Sequence, residues 1–265
     1  MNAFDGLILD LDGVVWVGPD PVPGSVDAIA GLRASGAQIV FLTNDSRSSR
    51  AEYAARLTHL GIPAEPSQVV TSGSALARYV VEQEALGARA FAIGSPSLKA
   101  ELAENGLTLC EGRTALSAKA VAVGVHDGFN YDELRTAAQA VRRGANLYAA
   151  GRDATFPMPD GPWPGAGSVV AAVEVAGGTR AINVGKPESF VFDIARSILR
   201  NRRRVGVVGD TLASDIAGGK RAGLGTVLVL TGTCTADDVA TSAVQPDLVL
   251  PDLAALLPAK RAPCT

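Results

Sequence analysis

Leu7-Ile8-Leu9-Asp10-Leu11-Asp12-Gly13-Val14-Val15 is an apolar run that breaks into two aspartates one residue apart and then a glycine. On extended backbone, residues i and i+2 project to the same side, so the pattern predicts that Asp10 and Asp12 face one point. Two carboxylates at one point repel unless a cation lies between them or one holds a proton. Either arrangement is a setting for chemistry; the plain alternative is a strand end followed by an Asp-Gly turn. Three other segments repeat the theme. Gln38-Ile39-Val40-Phe41-Leu42 ends in Thr43-Asn44, and Ala181-Ile182-Asn183-Val184 leads into Gly185-Lys186-Pro187. Arg204-Val205-Gly206-Val207-Val208 ends in Gly209-Asp210, with Asp215 five residues on. Short apolar runs alternating with helix-like stretches predict an α/β fold, a doubly wound parallel sheet with helices on both faces. Ligands in such sheets bind beyond the carboxyl ends of the strands. Polar residues far apart in the chain are therefore expected to gather along one edge.

Composition narrows the function classes. The 265 residues suffice for one large domain or two modest ones, and 47% hydrophobic content is ordinary for a soluble globular protein. A net charge of −3 argues against nucleic acid as the main partner. No apolar run approaches a membrane span, and the N-terminus lacks a secretory pattern, so a cytoplasmic protein with no membrane partner is expected. Cys110, Cys234 and Cys264 are widely separated, with no pair at metal-site spacing, and read as reduced thiols. The two histidines, His59 and His126, leave little for a Ser-His-Asp triad or a zinc centre. Acid–base chemistry falls to carboxylates.

Helices are predicted over Val26–Ser35, Ser46–Leu60 with a Ser49-x-x-Glu52 capping box, Phe190–Leu199 and Asp215–Ala222. Gly225–Leu230 and Leu248–Leu250 read as later strands. The middle of the chain has its own strands, Ala90–Ile93, Ala120–Val125 and Asn146–Ala149, and nothing there matches the acidic strand ends. The expected organisation is a catalytic core of residues 1–72 and 180–265 with an inserted α/β domain at 73–179. The Gly/Pro-rich stretch Phe156–Ser168 is expected to be a shaped loop within it.

These residue types suit phosphoryl transfer, which needs an in-line nucleophile, neutralised phosphate oxygens and a proton for the departing oxygen. Asp10 is a carboxylate able to form an aspartyl-phosphate. Magnesium takes oxygen ligands, keeps several waters and uses one or two carboxylates; Asp10 and Asp210 suit it, with the main-chain carbonyl of Asp12 as a third ligand. Asp215 suits two roles equally, orienting metal-bound water or capping the next helix. Asp12 is left as general acid and base. Thr43 and Asn44 offer hydrogen bonds to phosphate oxygens, and Lys186 offsets their charge. Taken singly, each of these three also reads as ordinary surface or strand-end polarity. No Gly-x-x-x-x-Gly-Lys-Ser/Thr loop occurs, which disfavours a P-loop protein.

Asp10-Leu11-Asp12-Gly13-Val14, Leu42-Thr43-Asn44, Gly185-Lys186-Pro187 and Gly209-Asp210 followed by Asp215 resemble the four ordered motifs of the haloacid dehalogenase-like (HAD) superfamily. The long insert resembles the type-two cap of the NagD-like, nitrophenyl phosphatase branch, as do Trp16 and Pro164-Gly165-Ala166-Gly167-Ser168. The resemblance implies a magnesium-dependent phosphomonoesterase acting on a small phosphorylated metabolite. It implies Asp10 as nucleophile, Asp12 as acid/base, and Thr43 and Lys186 as phosphate contacts. Its metal ligands would be Asp10, Asp12 and Asp210, and the cap suggests a homodimer. Two departures stand out: Asn44-Asp45-Ser46 replaces Asn-Asn-Ser, and Ala150-Gly151-Arg152-Asp153 replaces a Thr-Asn-Pro-Asp-like turn. Arg152 is a candidate anion contact, with a plain surface arginine as the commoner reading. A phosphomutase would use the same aspartates. A silent binding protein would have lost the nucleophile or a metal ligand, and dehalogenation has no need of the proton from Asp12. The substrate itself is not written in the sequence.

Overall fold

The computed structural model describes residues 4–158 and 161–257. The tail after Pro258, expected to fray, and Cys264 lie outside them. β1 (Gly6–Asp10) is followed by a small ribbon, β2 (Trp16–Val17) and β3 (Asp20–Pro21), then α1 (Ser25–Ala34), β4 (Gln38–Thr43), α2 (Arg50–His59) and β5 (Val69–Thr71). Next come α3 (Ser72–Glu84), β6 (Arg89–Ile93), α4 (Pro96–Glu104), β7 (Thr108–Leu109), β8 (Ala120–Val123), α5 (Tyr131–Arg142) and β9 (Asn146–Ala149). A hairpin of β10 (Thr155–Met158) and β11 (Gly161–Pro164) precedes α6 (Ala166–Gly177), β12 (Ile182–Asn183) and α7 (Ser189–Ile198). The described chain ends with β13 (Val205–Gly209), α8 (Ala217–Arg221), β14 (Gly225–Val229), α9 (Ala236–Thr241) and β15 (Leu248–Leu250).

These elements form two compact units. The first comprises the chain up to Leu42, Ala54–Val69 and the chain from Phe192; the second comprises Thr43–Tyr53 and Val70–Val191. The six-stranded sheet runs β15-β14-β13-β1-β4-β5. β1 lies at its centre, parallel to both neighbours, with Leu9 opposite Phe41 on one side and Val208 on the other. All five β1 residues are buried, which is why the strand reads as an unbroken apolar run rather than an alternation. α1 buries Ala28, Ile29 and Leu32, the stripe expected of a helix lying on a sheet.

The sheet of the second unit runs β12-β9-β8-β6-β7, again parallel. Its strands alternate large and small residues. Phe91, Ile93, Val121, Val123 and Leu147 pack into one core with Ala137 and Val141 of α5 and Val169, Val170 and Val173 of α6. Ala90, Ala92, Ala120 and Ala122 point the other way, the side on which α3 contacts β8 and β9.

Three expectations change. The strand at Ala181–Val184 is shortened to β12 and joins the second sheet, where Ile182 pairs with Tyr148 and Asn183 with Ala149. Phe156–Ser168 is not a loop: β10 and β11 form an antiparallel hairpin that gives way to α6. The helix expected from Asp215 instead begins as a wide π turn over Leu212–Ile216, and regular α structure starts only at Ala217. No helix among the described residues is long and apolar enough to cross a membrane.

Candidate active site

β1 and β13 are adjacent and parallel, with Leu9 opposite Val208, so Asp10 and the Gly209-Asp210 pair leave the sheet side by side. Asp10, Asp210 and Asp215 are all buried, and their ligand oxygens lie within 4.8 Å of one another. Each carboxylate is held. The Leu11 N–H donates to Asp10 Oδ1 at 2.8 Å. Thr211 Oγ1 donates to Asp210 Oδ1 at 3.0 Å, and the Thr233 N–H donates to Asp210 Oδ2 at 2.6 Å. Asp215 Oδ2 accepts from the Thr211 N–H at 3.1 Å, reaching back across the π turn, while Thr211 itself stands at the N-cap position. The Asp215 carboxylate thus bonds the first turn and also joins the other two in the cluster.

Asp12 behaves differently. The strand ends at Asp10, and the chain turns so that Leu11 O accepts from the N–H groups of Val15 and Trp16 at 2.8 and 3.1 Å. Asp10 is buried and Asp12 exposed. The turn requires Gly13, whose φ is +76° and whose absent Cβ would collide with the Asp210 carboxylate. Thr231 Oγ1 locks it by donating to Gly13 O at 2.6 Å.

An all-oxygen set of three clustered, buried carboxylates fits a hard divalent cation. Two oxygens on one octahedral magnesium stand roughly 3 Å apart in cis and roughly 4 Å in trans, at bond lengths of about 2.1 Å. The observed ceiling of 4.8 Å brings the three within small side-chain rotations of a shared ion.

In the second unit, Thr43 and Lys186 are buried. Thr43 Oγ1 accepts from the Asp45 N–H at 3.0 Å. The Asn44 carboxamide clasps the main chain of Lys186: Oδ1 accepts from the Lys186 N–H at 2.8 Å, and Nδ2 donates to Lys186 O at 3.2 Å. Nδ2 also donates to Asp153 Oδ2 at 2.9 Å. Close approach depends on Gly185, because a Cβ there would strike Ala150 O and Asn44 Oδ1. Asp45, the residue that departs from the Asn-Asn-Ser pattern, is held by its neighbour. It forms a bidentate pair with Arg47, 2.9 Å at the closest, whereas Ser49 and Glu52 exchange the capping hydrogen bonds of α2. Arg47 in turn lies 4.1 Å over the Phe156 ring.

Arg152 donates to Glu174 Oε1 at 2.6 Å and to Ala181 O at 2.9 Å. Burial pushes the Glu174 pKa up, but the bonds from Arg152, the Ala181 N–H and Arg180 outweigh it and hold the carboxyl below its ordinary 4.5. A group depressed on folding stabilises the fold above its unfolded pKa and loses that contribution as pH falls through the folded value. Glu174→Gln is therefore expected to cost about 1–3 kcal/mol at neutral pH. Its gap from the wild type should close as pH drops below the ordinary 4.5, as read by urea melts at several pH values.

Thr211 and Thr233, which hold Asp210, carry no motif signal. Thr211 is at least adjacent to Asp210, but Thr233 arrives from a loop after β14 and is seen only in three dimensions.

Comparison with known proteins agrees with this geometry. A haloacid dehalogenase-like hydrolase model matches residues 7–108, and a second HAD-like hydrolase model matches residues 183–256. The acid sugar phosphatase of Staphylococcus haemolyticus is 32% identical over 254 residues, 96% of this chain and 95% of that protein. The crystal structure of glycerol phosphate phosphatase from Mycobacterium tuberculosis in complex with magnesium superposes with a TM-score of 0.90 at 34% identity, covering 97% of this chain and 78% of that one. The p-nitrophenyl phosphatase from Archaeoglobus fulgidus gives a TM-score of 0.89 at 31% identity, covering 96% and 98%. Buried carboxylates at adjacent strand ends, a parallel core sheet and end-to-end similarity lead to one conclusion: the chain belongs to the haloacid dehalogenase-like hydrolases, as a phosphomonoesterase of the NagD-like, nitrophenyl phosphatase branch.

Proposed function

We propose that the protein hydrolyses a small polyol or sugar phosphate through an aspartyl-phosphate on Asp10, with magnesium as cofactor. The observation that carries this reading is the cluster of buried Asp10, Asp210 and Asp215 carboxylates. Asp10 and Asp210 would hold the ion, with the Asp12 main-chain carbonyl as a third ligand and Asp215 beside them. Bound there, magnesium neutralises phosphate oxygens and polarises the phosphoryl group.

In the first step an Asp10 oxygen attacks phosphorus in line with the ester bond. As the new O–P bond forms, the ester P–O bond breaks, and its electron pair stays on the departing oxygen, which takes the proton of Asp12. Asp12, now a carboxylate, takes a proton from water as the water oxygen attacks phosphorus. Asp10 leaves as a carboxylate, and the products are alcohol and inorganic phosphate. The exposure of Asp12 suits a group that must meet both leaving group and water, as the burial of Asp10 suits a fixed nucleophile. Thr43, whose hydroxyl accepts from Asp45, directs its proton to a phosphate oxygen, and Lys186 supplies positive charge. Asn44, with its carboxamide bound to the Lys186 main chain and to Asp153, acts through the placement of Lys186. Arg152 is committed to Glu174 and serves the second unit's structure. The same reading places the protein in the cytoplasm as a homodimer.

The names of the relatives support the substrate class, since they include acid sugar and glycerol phosphate phosphatases. A phosphate-release screen over polyol, sugar, nucleoside and aromatic phosphates tests it. The highest kcat/KM is expected on polyol or sugar phosphates, with free phosphate as product. Recovery of an isomeric phosphate in its place would make the protein a mutase and end this reading.

A further inference from the structure

A carboxyl group that must hand a proton to a leaving group has to be held in one orientation. Asp12 is exposed and lies beyond the end of β1, where a turn aspartate ordinarily samples several rotamers. Trp16 restrains it. The indole is fully buried and its Nε1–H donates to Asp12 Oδ1 at 3.0 Å. The main chain closes the same loop, with the Gly13 N–H donating to Trp16 O at 2.7 Å. The Arg56 guanidinium lies 3.9 Å from the indole centroid, and Arg56 also donates to Gly18 O, two residues beyond Trp16. All of these residues belong to the first unit.

We propose that Trp16 is a positioning residue for Asp12, supported by Arg56, and that it holds the carboxyl group in one orientation. The inference rests on the reading of Asp12 as general acid and base. A donor on Oδ1 ties one oxygen of the carboxyl group to a buried, immobile ring and so restricts its rotation. A cation over the indole face withdraws π density and strengthens the N–H as a donor. A buried indole N–H needs some acceptor, and a backbone carbonyl would satisfy it equally well. Here the acceptor is instead an exposed carboxylate on the catalytic turn.

The test compares two substrates. An alkoxide leaving group needs the proton, whereas nitrophenolate departs without it. Trp16→Phe keeps the packing and deletes the donor. Its kcat/KM should fall about 10-fold or more on glycerol phosphate but stay within about 3-fold on p-nitrophenyl phosphate. Arg56→Gln should show the same preference at about 3-fold, and it decides the matter if Trp16→Phe does not melt cooperatively. Asp12→Asn is the reference and should discriminate more strongly than either. Equal losses on both substrates, or none, alongside a discriminating Asp12→Asn would overturn the role of Trp16 alone. A non-discriminating Asp12→Asn would remove the acid assignment and the inference with it.

Discussion

Asp10→Asn is expected to lower phosphate release by roughly 10⁴-fold or more while leaving the fold intact. The amide lacks the lone-pair basicity and charge of a carboxylate and cannot form the acyl-phosphate. The replacement is isosteric, and its Oδ1 continues to accept from the Leu11 N–H, so local structure loses little. Subtracting one negative charge also lessens repulsion of the incoming phosphate, and substrate binding should be no weaker. Steady-state phosphate release with saturating magnesium, read beside the melting curve, checks both halves of the expectation. Retention of wild-type turnover would take Asp10 out of the reaction.

The central strands were legible in the sequence because a parallel strand covered on both faces has no polar side. β1, β4, β13 and β14 all read as apolar runs closed by polar residues. That Asp10 and Asp210 meet follows from β1 and β13 being neighbours, a pairing across nearly the whole chain that periodicity alone does not reveal. The four ordered motifs supplied it. Ile182–Asn183 was too short to declare its sheet, and its register against Tyr148 settled the matter.

The hairpin of β10 and β11 was hidden by its own composition. Pro157 pairs with Pro162 and Thr155 with Pro164, and proline in a sequence ordinarily argues against a strand. A two-stranded ribbon with open edges tolerates it. The same limit applies within the site. The gathering of Asp10 and Asp210 at one point was readable, but the exposure of Asp12 was not. The clasp of Asn44 on Lys186 depends on a close approach that only Gly185 permits.

Stripping divalent cations with EDTA is expected to abolish turnover and to lower the melting temperature, with both restored by magnesium. Two carboxylate oxygens no more than 4.8 Å apart repel by at least roughly 3 kcal/mol at an effective dielectric of about 20, and the cluster contains three such pairs. The donors placed on these oxygens include the N–H groups of Leu11, Thr211 and Thr233, which orient the carboxylates without cancelling their charge. Without a cation that repulsion is uncompensated, which makes the native state less favourable. Asp10→Asn removes two of the three repulsive pairs. In EDTA this variant should therefore melt at or above the wild type, by up to about 5 °C for a chain of this size. In excess magnesium the order should reverse, because ligand binding stabilises the native state in proportion to its affinity and the variant has lost a charged ligand. Calorimetry of both proteins in both buffers gives four melting temperatures. A variant that melts well below the wild type in EDTA would mean that the carboxylates are held by something other than a cation.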